Sequence, residues 1–283
     1  MSQFTRREFI GTVTAGAAAL AVAPSSVLGA TRKKLPIGVQ LYSVRGDFSK
    51  DVPGVLAGIR KIGYDGVEFA GYANYGGNAD GLRKLLDDNG LKACGSHIQG
   101  GLRTLQGDGF QREVDFNKTI GNDRLIIASS NAKTADDWAR LADSFSQIAE
   151  KLKPLNMRLG YHNHASEFTP IDGQMPEDIF FGKASPEVFV QLDIGHCAHA
   201  GADPTAYLKK YGNRTLSVHV KDWVAETRGD IVGEGIVNWS EVLDACAAAS
   251  ALEWYVIEEE SGKFQALDGI DKDFKNFTRL LES

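Results

Sequence analysis

Six histidines and a group of carboxylates carry the chemistry available to this sequence. Three of these groups close apolar runs: Val188-Phe189-Val190-Gln191-Leu192-Asp193, Leu216-Ser217-Val218-His219 and Tyr255-Val256-Ile257-Glu258. A carboxylate left uncompensated at such a position is costly, so it is normally paired or bound to a metal. Imidazole and carboxylate together form a mixed nitrogen and oxygen donor set for a divalent ion. The competing reading is a structural ion-pair network, for which Lys221 and Arg45 are the candidate cations.

The elements that must position these groups alternate short β-branched or aromatic runs with longer helical patterns, as in a parallel sheet. The strands are expected at Ile37–Ser43, Gly66–Ala70, Ala93–Ile98, Arg124–Ala128, Arg158–His164, Phe189–Ile194, Leu216–Val220 and Trp254–Glu258. The clearest helix is expected from Ala135 to Leu152, where Trp138, Leu141, Ala142, Phe145, Ile148, Ala149 and Leu152 recur at three- and four-residue spacing. Asp203-Pro204 opens another, and Asn238-Trp239 opens a later one. Eight strands, each followed by a helix, close a (β/α)8 TIM barrel of the α/β class, whose chemistry sits at the carboxyl ends of the strands. All six histidines fall there, outside the predicted helices: His97, His162, His164, His196, His199 and His219. Glu68, Glu167, Asp193 and Glu258 share the same rim.

Composition narrows the partners. The chain has 283 residues, 31 Lys and Arg against 37 Asp and Glu, and a net charge of -6, which disfavours nucleic acid. Three widely spaced cysteines exclude a disulfide framework and a zinc ribbon. Residues 1–30 read as an export address, with Arg6-Arg7 ahead of an Ala- and Gly-rich apolar run and a small-residue zone near Ala30. The paired arginines resemble a twin-arginine signal, so the export machinery is an expected partner and the periplasm an expected location. The apolar run is too short for stable membrane insertion. The remainder, residues 31–283, is the size of one barrel and slightly more acidic than the whole.

Several segments resemble the xylose isomerase-like superfamily of sugar phosphate isomerases and epimerases, which also holds AP endonucleases of the endonuclease IV type. They are Ile37-Gly38-Val39-Gln40-Leu41-Tyr42-Ser43, Gly66-Val67-Glu68-Phe69, Tyr161-His162-Asn163-His164 with Glu167-Phe168, and Leu192-Asp193-Ile194-Gly195-His196. His219-Val220-Lys221-Asp222, Gly233-Glu234-Gly235 and Val256-Ile257-Glu258 complete the series. The resemblance implies a divalent ion, manganese first, with cobalt, magnesium or zinc as alternatives. It implies Asp193, His219 and Glu258 as ligands from the sixth, seventh and eighth strands. The fifth-strand ligand is normally Glu, and this sequence departs from that: His162 aligns there, with His164 and Glu167 as rivals.

In that family two glutamates on opposite faces of a sugar move a proton beside a carbonyl, and the metal stabilises the enediolate. Here Glu258 fits one role and the second glutamate is missing, which raises one-sided chemistry. The resemblance thus implies isomerisation or epimerisation of a non-phosphorylated carbohydrate, or β-elimination by a lyase or dehydratase acting on a 3-keto-sugar, keto-glycoside or inosose-type cyclitol. Glu167, His196 and Lys221 join Glu258 as catalytic candidates, and Glu68, His97, His164 and Trp223 as substrate-binding ones. Glu259 and Glu260 read as a solvated charge run. A nuclease fits poorly with the acidic charge, and a binding protein without catalysis fits poorly with the retained Asp193, His219 and Glu258. Homo-oligomerisation is left open.

Overall fold

In the computed structural model, which describes residues 34–224 and 227–283, eight parallel strands close on themselves. In chain order they are β1 (Ile37–Gln40), β2 (Gly66–Phe69), β3 (Lys92–His97), β4 (Arg124–Ile127), β5 (Arg158–His162), β6 (Val188–Asp193) and β7 (Thr215–Val220). A hairpin of β8 (Asp222–Val224) and β9 (Thr227–Asp230) intervenes before the last barrel strand, β10 (Trp254–Ile257). The ring runs β1-β10-β7-β6-β5-β4-β3-β2, so β10 pairs with both β1 and β7.

The barrel is the one expected, with the first, second, fourth, fifth and last strands shorter than expected, β3 and β6 shifted by one residue and β7 one residue longer. The first strand ends at Gln40 because Leu41–Val44 tightens into a 3-10 turn, and β5 ends at His162 because Ala165–Phe168 does the same. The predicted Ala135–Leu152 helix is present with those bounds, capped by Thr134, whose hydroxyl accepts from Asp137 N. Its buried face, including Trp138 and Phe145, packs on Tyr161 and Phe180. That apolar contact fixes β5 from outside and so fixes the height of His162. Asp203 caps the helix Pro204–Tyr211, and Asn238 precedes Trp239–Ala248, as their sequences imply. His196 and His199 differ from expectation: they lie in a short helix, Ile194–His199, because Asp193 folds back to accept from His196 N at 2.7 Å.

Two glycines make room for polar groups inside the barrel. A Cβ on Gly95 would stand 2.5 Å from Glu68 Oε2, and one on Gly195 would stand 2.8 Å from Lys221 Cγ. Both distances are too close for real atoms, so the small residues admit a carboxylate and an ammonium that a larger side chain would displace. At the opposite, amino-terminal end, Arg158 bridges Asp123 (2.7 Å) and Glu253 (2.8 Å), while Arg124 pairs with the same Glu253. No helix among the described residues is long and apolar enough to cross a membrane. The segment expected to direct export, residues 1–30, lies outside the described residues.

Candidate functional site

The carboxyl ends of β5, β6, β7 and β10 bring together His162, Asp193, His219 and Glu258. One donor atom from each lies within 4.8 Å of every other, and all four residues are buried. Strand register does the aligning: Asp193 sits opposite His219 across β6 and β7, and His219 opposite Val256, two residues before Glu258. His219 Nδ1 lies 3.1 Å from Glu258 Oε2 and 3.8 Å from Asp193 Oδ2, and His162 Nε2 lies 4.0 Å from that same Asp193 oxygen. Asp193 Oδ1 is used by the His196 amide, while Oδ2 is buried without a hydrogen-bond partner. A buried orphan carboxylate oxygen facing two imidazoles and a second carboxylate is the mark of a cation site. The donor set fits a divalent ion.

Beneath this group lies a polar floor that sequence reasoning only half anticipates. Glu68 is fully buried under the imidazoles, below the cavity wall that the sequence suggests for it. Its Oε1 accepts from Gln40 Nε2 at 2.7 Å and stands 2.7 Å from His219 Nε2 and 3.0 Å from His97 Nε2. Its Oε2 accepts from Gln191 Nε2 at 2.6 Å. Gln191 also donates to Ser217 Oγ, and its carbonyl oxygen meets His162 Nδ1 at 3.0 Å and His97 Nε2 at 2.9 Å. Gln40, Gln191 and Ser217 escape a reading of the sequence. A signal exists, since Gln40 and Gln191 interrupt apolar strands in register with Glu68 and His162, but a neutral amide does not draw attention as a carboxylate does.

This floor sets the charges. Burial alone would raise Glu68, but His97 and His219 hold its carboxyl well below the ordinary 4.5. Burial likewise opposes ionisation of Glu258, and Lys221 and His219 outweigh it, keeping that group an anion. His219 shows the converse: burial would lower it, yet Glu68 and Glu258 raise its imidazolium from 6.5 to about 10. His162 is driven down by burial and by the neighbouring imidazoles and stays neutral.

His219 gives the fold a pH dependence. A group whose pKa is raised on folding stabilises the fold fully below its unfolded value of 6.5, and that contribution is lost as pH climbs through about 10. The metal-free protein is therefore expected to lose melting temperature between pH 6.5 and 10. Protein saturated with a divalent ion, which would take the place of the proton on Nδ1 if His219 is a ligand, is expected to lose much less. Parallel melts with and without chelator check this; identical slopes would remove His219 from the donor set.

Around the centre, His97, His162, His164, His196 and His219 form a continuous string of ring contacts, with centroids 4.5 to 5.7 Å apart. His199 stands apart, stacked on Trp223 at 3.9 Å. Trp223 is held at the start of the hairpin because Asp222 gathers the backbone amides of Trp223, Gly233 and Val237 and the indole of Trp239. Lys221, 1 % exposed, places Nζ 3.5 Å from Glu258 Oε2 and 3.4 Å from His196 Nε2, and pairs with Glu260. Glu260 is therefore an ion-pair partner, and Glu259 is buried and bonded to Ser261, so the expected solvated charge run is not one. Burial works against the Lys221 ammonium, but Glu258, Asp193 and Glu260 raise its pKa above the usual lysine value. His196, half-buried beside that ammonium, is lowered to about 4 by the loss of solvent and is a neutral acceptor near pH 7.

Glu167 is placed differently from Glu258. Its Oε1 takes the Tyr161 hydroxyl at 2.5 Å, and its Oε2 takes Ser166 Oγ and the His164 amide at 2.7 and 3.0 Å. It is outside the four-residue group. From His97 a cavity of about 810 Å³ opens over β3 and β4, lined by Tyr42, Gln99, Arg103, Asn131 and Arg140 among others. Its walls mix polar and apolar surface in about equal parts, which suits a ligand presenting both hydroxyls and C–H faces.

A closed barrel with this cluster at its carboxyl end defines a class that comparison with known proteins makes definite. Residues 56–280 match the xylose isomerase-like TIM barrel family, and the chain belongs to it. Among curated relatives, the rhizopine catabolism protein MocC of Rhizobium meliloti is 22 % identical over 259 residues, 75 % of each chain. Inosose dehydratase of Lacticaseibacillus casei is 21 % identical over 244 residues, 72 % of this chain and 80 % of its own. A sugar phosphate isomerase/epimerase structure from Parabacteroides distasonis superposes with a TM-score of 0.75 at 23 % identity, covering 89 % of this chain and 94 % of its own. The IOLI protein, solved with a bound zinc atom, gives 0.71 at 13 % identity, covering 88 % and 98 %.

Proposed function

We propose that this protein is a divalent-metal-dependent enzyme that removes a proton beside a carbonyl in a non-phosphorylated carbohydrate. One observation carries the reading: among the described residues, Glu258 is the carboxylate that both borders the orphaned Asp193 oxygen and touches a buried ammonium, while Glu68 and Glu167 are bound by several donors each. His162, Asp193, His219 and Glu258 would hold the ion, which when bound supplies Lewis-acid polarisation of a substrate carbonyl.

The chain's own residues then divide the work. Glu258 accepts the proton from the carbon beside the carbonyl. Lys221, held as an ammonium, donates hydrogen bonds to a substrate oxygen where negative charge develops. His196, neutral, can carry a proton between neighbouring oxygens. Returning the proton to the adjacent carbon gives an isomerase. Where a hydroxyl or alkoxy group sits β to the carbonyl, its departure with a proton from the Lys221 ammonium gives elimination, as in a dehydratase or lyase. The elimination reading is favoured by asymmetry, because the described donor group offers one glutamate, Glu258, beside an ammonium where a two-base epimerase needs two.

Export through the twin-arginine route is part of this proposal and would bring the enzyme to free sugars, oxidised glycosides or cyclitols. Its support is the Arg6-Arg7 segment. The test is incubation of the metal-loaded protein in heavy water with ketoses and 3-keto-glycosides. Deuterium at a single carbon supports isomerisation, and an unsaturated product supports elimination. Neither outcome with any carbonyl sugar would overturn the reading.

A further inference from the structure

The four donors at the mouth are two imidazoles and two carboxylates, a combination with consequences for which ion they hold. We infer that His162, locked by Gln191, makes this a two-nitrogen, two-oxygen centre that selects zinc- or cobalt-type ions over magnesium and manganese. The inference rests on the proposed metal site and deepens it.

The lock can be followed atom by atom. Glu68 is a fixed acceptor, so the Gln191 group 2.6 Å from it is the amide nitrogen. That nitrogen also donates to Ser217 Oγ at 3.0 Å. The Gln191 carbonyl oxygen is thereby turned toward the imidazoles, 3.0 Å from His162 Nδ1. A carbonyl only accepts, so Nδ1 carries the hydrogen and Nε2 keeps its lone pair. Nε2 faces Asp193 Oδ2 across 4.0 Å, and that oxygen has no partner. Two ligands about 2.0–2.2 Å from one ion stand about 3.3–3.6 Å apart at the tetrahedral angle, so closing this gap by roughly half an ångström would let both reach one ion. His219 is oriented in the same manner, with Nε2 on Glu68 and Nδ1 toward Asp193 and Glu258.

Magnesium prefers oxygen donors and sheds water reluctantly, whereas imidazole nitrogen suits zinc, cobalt, nickel and copper. Two carboxylates also balance a divalent charge, so the ion gains no surplus anionic field of the kind that favours hard cations. Manganese, the first expectation from the family resemblance, gives way on this donor count.

The test uses the full-length protein stripped of metal, with ion affinities from competition titrations and nitrogen donors counted by electron paramagnetic resonance of bound Cu2+. Two nitrogen donors are expected in the wild type and one in His162→Glu. The zinc-to-magnesium preference is expected to fall on the order of tenfold or more in that variant. Gln191→Leu, which keeps His162 but frees its ring, is expected to lower zinc affinity about 10- to 100-fold. His162→Gln serves where the added carboxylate prevents folding, with the same loss of one nitrogen. One nitrogen in the wild type, or an unchanged preference in folded His162 variants, would overturn the inference and leave the metal centre standing. No ion bound in the wild type would overturn the metal centre itself.

Discussion

Glu258→Gln is expected to abolish exchange of the substrate hydrogen in heavy water while the barrel remains folded. The substitution keeps shape and volume at a buried position and removes the charge and the basic oxygen. Glu258, just past the end of β10, is the group proposed above to accept the proton, and Lys221, 3.5 Å away, the group proposed to stabilise an adjacent oxygen. Loss of a positioned base costs about 10²–10⁴ in turnover. Because Glu258 also borders His219 at 3.1 Å, ion affinity is expected to drop as well, so turnover must be compared at saturating metal. A variant that still exchanges at near wild-type rate when saturated would move the base elsewhere, with Glu167 the next carboxylate to test. Glu167 already accepts from three donors, and its replacement is a change to the turn after β5 before it is a change to chemistry.

The parts of this architecture that the sequence reveals are those written in contrasts of hydrophobicity. Asp193, His219 and Glu258 each break or end an apolar strand, and a parallel barrel puts all such strand ends on one face, so their convergence is legible in the chain alone. His162 is legible as one of three rivals, and the structure groups it with the other donors because β5 stops there and the chain then turns. Gln40 and Gln191 break strands just as visibly, but their role exists only through cross-strand register, Gln40 with Glu68 and His162 with Gln191, which no local pattern states. Glu260 is hidden for another reason. β10 ends at Ile257, and the irregular chain beyond it lets Glu260 reach Lys221, which a run of three glutamates disguises as solvated surface. The β8–β9 hairpin is too short for alternation to show, and the four donations to Asp222 that anchor its base come from residues up to 17 positions away.

Asp193→Asn separates a metal site from an ion-pair network, because the two readings predict changes of different size in the metal-free protein. The Asp193 carboxylate has one oxygen capping the Ile194–His199 helix and one without a partner. Asparagine can keep the cap through its carbonyl oxygen and replaces only the orphan. If Asp193 were there to hold the fold, removing its charge would leave the imidazoles short of an anion and destabilise the protein by about 3–5 kcal/mol, as when a buried pair loses one partner. If it is there to hold an ion, the metal-free protein keeps a buried carboxylate oxygen without a hydrogen-bond partner close to Glu258, and neutralising it trades the longer-range attraction of His219, 3.8 Å away, for relief of that repulsion. The metal-free variant is then expected to melt close to the wild-type temperature. Its ion affinity is expected to fall by about 3 kcal/mol or more, over a hundredfold. Chelator-treated melts and metal titrations on the same preparation read both quantities. A large loss of metal-free stability with unchanged ion affinity would assign Asp193 to the fold. The expected pattern, stability kept and affinity lost, would mean that Lys221 and the imidazoles already balance most of the charge at the mouth, and that what the fold leaves for a cation to complete is the one Asp193 oxygen without a hydrogen-bond partner.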